Sequence, residues 1–102
     1  MSGGFVLTLV PDETVKLHVT WTTVRREVTD YAVVLTLERG GTEQTVRVYD
    51  GAHGVNHMHR YTRTRGKRPA ETFHDGDLGQ GMRAAREDCQ RRYPLLIEGW
   101  DR

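Results

Sequence analysis

A two-residue period constrains this chain more than any other feature. Apolar side chains occupy odd positions in Phe5, Leu7, Leu9 and again in Val15, Leu17, Val19, Trp21, with Thr8, Lys16, His18, Thr20 and Thr22 between them. Successive side chains on a strand point to opposite faces, so each run predicts a strand with one buried face. The "PDET" at 11–14 predicts the turn between them. A third run, Tyr31, Val33, Leu35, Leu37, ends in "ERGGTE", whose paired glycines accept the positive φ of a tight hairpin. The strand that follows is expected to put Val46 and Val48 on one face and Thr45, Arg47 and Tyr49 on the other.

From about Asp77 the period changes. Leu78, Met82, Ala85 and Cys89 recur at spacings of four, three and four, the stripe of an amphipathic helix, with Asp75 or Asp77 as its cap. Pro94 predicts the end of this helix near Tyr93, leaving Leu95, Leu96, Ile97 and Trp100 as further core or dimer contacts. The connection "RGKRPAETFHDGDLGQG" is long and polar, with a short edge strand expected around Glu71 to Phe73 and the rest suited to a flexible lid. The pattern predicts one α+β domain over 1–102: a twisted antiparallel meander of four to six strands packed against one C-terminal helix.

The 102 residues suffice for one core and are few for two domains. No apolar run approaches the ~20 residues of a membrane span, and the opening MSGGFVLTLV has neither a basic start nor a cleavage site. The single cysteine, Cys89, continues the helical stripe, so a buried thiol is expected in place of a nucleophile or disulfide. These features predict a soluble cytoplasmic protein with no membrane partner. No phosphate loop, dinucleotide glycine motif or nucleophile elbow is present, which argues against nucleotide-dependent enzymes and serine hydrolases.

Chemistry concentrates in "YDGAHGVNHMHRY", residues 49–61, where His53, His57 and His59 fall within seven positions. On a strand, His57, His59, Tyr61, Arg63 and Arg65 would share one face, and Met58, Arg60, Thr62 and Thr64 the other. Three readings follow. His57 and His59 at i and i+2 can meet one Zn²⁺, with His53 as third ligand and Asp50 or Asp75 as fourth ligand or orienting partner. The same two imidazoles suit both proton transfers of RNA phosphodiester cleavage without a cofactor, because histidine ordinarily titrates near pH 6.5. In that reading Asp50 orients one imidazole, Tyr61 or Tyr49 acts as acid or stacks on a base, and Arg60, Arg63 and Arg65 hold phosphate. The third reading is a polar hairpin surface, with His53 and Asn56 making turn hydrogen bonds. His18 and His74 read as solvent-exposed polar positions.

The basic run Arg60, Arg63, Arg65, Lys67, Arg68 follows the histidines with no acid between its members, although the net charge is only +1. It therefore also supports a non-enzymatic module that binds RNA or a protein. The exposed edge strands and apolar tail would permit a homodimer.

The stretch "VRVYDGAHGVNHMHRY", followed by a polar loop and a helix with "AAREDCQRRYP", resembles the small TumE-type toxins of bacterial toxin–antitoxin pairs and related uncharacterised proteins. The likeness covers roughly residues 46–93 and rests on Tyr49, Asp50, Gly54, His57 and His59, with Gly51 where that family commonly has asparagine. It implies an α+β fold, growth inhibition through RNA and a cognate antitoxin as partner.

Overall fold

The computed structural model describes residues 1–102. Strands β1 (Ser2–Thr8), β2 (Val15–Val24), β3 (Glu27–Arg39), β4 (Thr42–Asp50) and β5 (Asn56–Thr62) form an antiparallel meander, and the short β6 (Gly66–Lys67) extends it. A seventh strand, β7 (Glu71–His74), pairs antiparallel with β5 beside Asn56, His57 and Met58, whereas β6 pairs beside Tyr61 and Thr62. Most of the connection expected as a lid is thus drawn along the sheet edge, with the edge strand at 71–74 as anticipated. The last element is α1 (Leu78–Asp101). The α+β meander backed by one C-terminal helix is therefore the observed architecture.

The two-residue period does what the pattern requires. Val15, Leu17, Val19, Tyr31, Val33, Leu35 and Leu37 are buried, and they meet Leu78, Ala85, Cys89, Leu96 and Trp100 of α1 in one core. The sheet's other face carries no second layer: Val6, His18, Val34, Val48 and His59 form one cross-strand row on it.

Two local predictions need correction. First, α1 does not end near Tyr93 but continues through Pro94 to Asp101. A proline inside a helix costs roughly 3 kcal/mol. Beyond it, however, Leu96 and Trp100 extend the stripe of Leu78, Ala85 and Cys89 at spacings of seven and four, and both are buried. Burying two such side chains stabilises by about 1.5–3 kcal/mol each, which offsets the proline. Second, β4 does not alternate cleanly. The pairing shifts between Leu35 and Thr36, so Leu35 faces Arg47 while Thr36 faces Thr45. This bulge turns Val46 into the core beside Arg47, and Tyr49 is the most deeply buried large side chain of the strand.

The entry to α1 is closely tied to the sheet. Asp77 caps it, accepting from the Gln80 N–H while the Gln80 side chain accepts from the Asp77 N–H. Asn56, fully buried in β5, accepts from the Tyr31 hydroxyl and donates through Nδ2 to the Gly76 carbonyl at 2.9 Å and that of Asp77 at 3.2 Å. No helix is long and apolar enough to cross a membrane.

Candidate functional site

The turn from β4 to β5 places two histidines on the uncovered sheet face. Asp50 and His57 are register partners, as are Val48 and His59. Between them the chain makes one 3₁₀ turn over Ala52–Gly54, with the Asp50 carboxylate accepting the Ala52 N–H at 3.1 Å and His53 in the left-handed region at φ 60°. Gly51 packs where a Cβ would press on Leu78 and Tyr31, so the turn sits close against the helix start.

One of the two imidazoles is held by a fixed partner. His59 Nδ1 bonds the Arg68 carbonyl at 3.0 Å. A carbonyl only accepts, so Nδ1 carries the proton and Nε2 of the neutral ring keeps its lone pair. His57 Nδ1 lies 3.9 Å from Asp50 Oδ1, too far for a hydrogen bond and within ion-pair range when the ring is protonated. Both side chains are partly buried, and their places on one strand put them about 7 Å apart. The arrangement can accept one proton and deliver another on the same side of the sheet.

The other expected participants go elsewhere. Arg63 lies beyond the end of β5: its N–H donates to the Trp100 carbonyl and its Nε to Asp101, so it is fastened to the helix end. Arg65 is exposed in the β5–β6 turn. Arg60 faces Arg47 across the sheet and pairs with Glu71 at 2.9 Å. Tyr61 is partly buried against the core. Tyr49 is buried and gives its hydroxyl to Asp88, which removes it as an acid or a stacking surface. The predicted face therefore reduces to His57, His59 and Asp50. His53 is exposed on its turn, and nowhere do three His, Cys, Asp or Glu side chains group to hold a metal ion. The donor set expected for zinc is not assembled.

His18 pairs with Glu43 at 2.7 Å, and His74 Nδ1 accepts the Gly76 N–H at 3.0 Å, so each has a local structural partner. Cys89 is fully buried, and burial pushes its thiol up to about 12, in keeping with an inert core position.

A second polar constellation lies on the helix side. Asp88 accepts from the Tyr49 hydroxyl at 2.7 Å and from Arg92 Nη1 at 2.9 Å, while Arg47 Nη1 stands 3.9 Å away. Burial pushes the Asp88 carboxyl up, but the hydrogen bonds from Tyr49 and Arg92 and the charges of Arg92 and Arg47 outweigh it and hold the group below the usual range. Burial, the neighbouring Cys89 and the bond to Asp88 raise the Tyr49 hydroxyl far above its ordinary value. Asp88 and Arg92 stand four apart on a helix, a legible pair. Their connection to β4 was hidden by the bulge.

Two cavities flank α1. The larger, about 600 Å³, lies beside its first turns, where Arg86 covers the Phe5 ring and the arginines mix with Glu27 and Asp77. The smaller, about 330 Å³, lies at its C-terminal half between Arg47, Arg60, Arg68, Arg92, Tyr61 and Trp100.

These features define a small α+β domain with an uncovered, histidine-bearing sheet face. The family described as a domain of unknown function, DUF7718, matches residues 3–102, and the chain belongs to that family. Neither a curated protein nor a solved structure matches it.

Proposed function

We propose that this chain acts on RNA, with His57 and His59 as the proton-transferring pair of a phosphodiester cleavage on the uncovered sheet face. The observation that supports this reading is the placement of both rings on one uncovered sheet face, His59 anchored through Nδ1 on the Arg68 carbonyl and His57 with Nδ1 3.9 Å from the Asp50 carboxylate. His59 then offers Nε2 as its exchanging atom. One imidazole takes the proton of the 2′-hydroxyl as that oxygen attacks phosphorus. The other, protonated, delivers a proton to the departing 5′-oxygen, leaving a 2′,3′-cyclic phosphate and a free 5′-hydroxyl. Asp50, within ion-pair range of His57 Nδ1, is a positioning residue for that ring. The likeness to TumE-type toxins extends the proposal to growth inhibition relieved by a cognate antitoxin.

The test is RNA cleavage by the wild-type protein and by a His57→Ala/His59→Ala variant, each with and without a chelator. Chelator-resistant cleavage that disappears in the folded variant is expected. Cleavage that persists in the variant would sink the proposal, and chelator-sensitive cleavage would make the pair metal ligands.

A second reading, a non-enzymatic RNA-binding module, is favoured by one observation: Arg65, Lys67 and Arg68 around the β5–β6 turn form no ion pair, whereas Arg60 and Arg63 do. Unpaired cations on a protruding turn suit phosphate contacts. Here Arg65→Ala weakens RNA binding and flattens its salt dependence, while Arg63→Ala does so less. Binding that does not respond to salt would remove RNA as the ligand.

A further inference from the structure

We propose that the cavity under the C-terminal half of α1 binds a phosphate group carried on a small flat body, the chemistry of a nucleoside monophosphate. It lies on the helix side of the sheet, and its argument is independent of the histidine pair.

The charge inventory carries the proposal. Four guanidinium groups, those of Arg47, Arg60, Arg68 and Arg92, line the cavity. Arg60 is balanced by Glu71. The remaining three have a single carboxylate between them, and Asp88 gives its short contacts to Arg92 and Tyr49. Arg68 has no ion pair.

Arg47 is the least compensated. Its side chain is only 15% exposed, its nearest carboxylate oxygen is 3.9 Å away, and its one side-chain hydrogen bond, to the Tyr49 hydroxyl, is long at 3.4 Å. Its Nε is buried with no acceptor at all. A buried cation so thinly partnered is costly unless a counter-charge completes the site. Because Nε itself is covered, an anion would meet the rest of the guanidinium, where it borders the cavity. Arginine presents planar, paired donors that match the oxygens of a phosphate, and three around one cavity suit a dianion.

Apart from Thr62 and Gly99, the rest of the lining is apolar and aromatic. Tyr61 and Trp100 border the space, and Leu95, 61% exposed, stands at its margin. A volume near 330 Å³ lies at the small end of ligand sites, enough for a phosphate with one ring system.

Calorimetric titration of the whole protein at matched ionic strength tests this, with inorganic phosphate, adenosine 5′-monophosphate and adenosine as probes. Phosphate and the monophosphate should bind, the monophosphate more tightly, and adenosine should not. Arg68→Ala and Arg92→Ala should each weaken monophosphate binding by about tenfold or more with an unchanged circular dichroism spectrum. The proposal is overturned by no binding of either phosphate probe, by binding insensitive to both arginine variants, or by adenosine binding as well as its monophosphate. Equal binding of phosphate and monophosphate would overturn the flat-body half of it.

Discussion

The hydroxyl of Tyr49 in β4 donates to Asp88 Oδ2 in α1 at 2.7 Å, across 39 positions of sequence. This bond ties the bulged strand to the middle of the helix, and the Phe73 ring of β7 makes a T-shaped contact with Tyr49. Tyr49→Phe keeps the packing and removes the donor, so it should cost about 1–2 kcal/mol in urea unfolding. Asp88→Ala should cost more, because it also leaves Arg47 and Arg92 without their carboxylate. A Tyr49→Phe variant as stable as the wild type would mean that the bond only replaces one to water.

Asp88 also makes stability depend on pH. Its carboxyl is depressed in the folded protein, so its contribution is fully present above its unfolded value near 3.8 and is lost as pH falls through the lower folded value. The urea midpoint of the wild type should therefore drop as pH is lowered below about 4. Asp88→Asn should show a shallower drop from a lower starting stability. Some slope remains, since Arg39 and Arg63 likewise depress Asp101. Parallel pH profiles for the two proteins would show that Asp88 does not carry this dependence.

Much of this architecture is legible before any coordinates, for physical reasons. The odd-position runs of β1, β2 and β3 could bury one face only as strands, and the spacing of Leu78, Ala85 and Cys89 could do so only as a helix. The common face of His57 and His59 follows from the same period. What stayed hidden depends on partners distant in sequence. "TVRVY" alternates well enough to conceal a bulge that is set by its pairing with β3. Arg63 looks like a continuation of the histidine strand, but its N–H is captured by the Trp100 carbonyl, and the strand stops at Thr62. Asn56 reads as a turn residue, yet it is the buried clamp on the helix entrance.

That clamp predicts a severe effect at Gly81. The residue is buried in the second turn of α1, and a Cβ there would collide with the Asn56 side-chain amide. Asn56 cannot yield cheaply, because it is held by the Tyr31 hydroxyl and the carbonyls of Gly76 and Asp77. Gly81→Ala should therefore lose about 2–4 kcal/mol of stability despite alanine's better helix propensity. Gly99, with open space around its Cα, serves as the control: Gly99→Ala should be neutral or stabilising. Equal responses at the two glycines would show that the Asn56 contact is easily relaxed.

Pro94 offers the opposite sign. It is exposed and lies inside a helix that continues to Asp101. The ring removes one backbone donor from the middle of α1, and what holds the last two turns on the sheet is the burial of Leu96 and Trp100, aided by Arg39 stacked on the Trp100 ring. Pro94→Ala restores the donor without touching those contacts. It should raise stability by about 1–3 kcal/mol, read as a higher urea midpoint with an unchanged slope. Trp100→Ala in the wild-type background should have the reverse effect, releasing the Arg63 region as well, because the Trp100 carbonyl holds the Arg63 N–H only while the helix end is docked. If Pro94→Ala were destabilising, the proline would have to be shaping the helix end to fit the sheet. The Arg63 amide would then exchange faster in that variant, which hydrogen exchange would reveal directly.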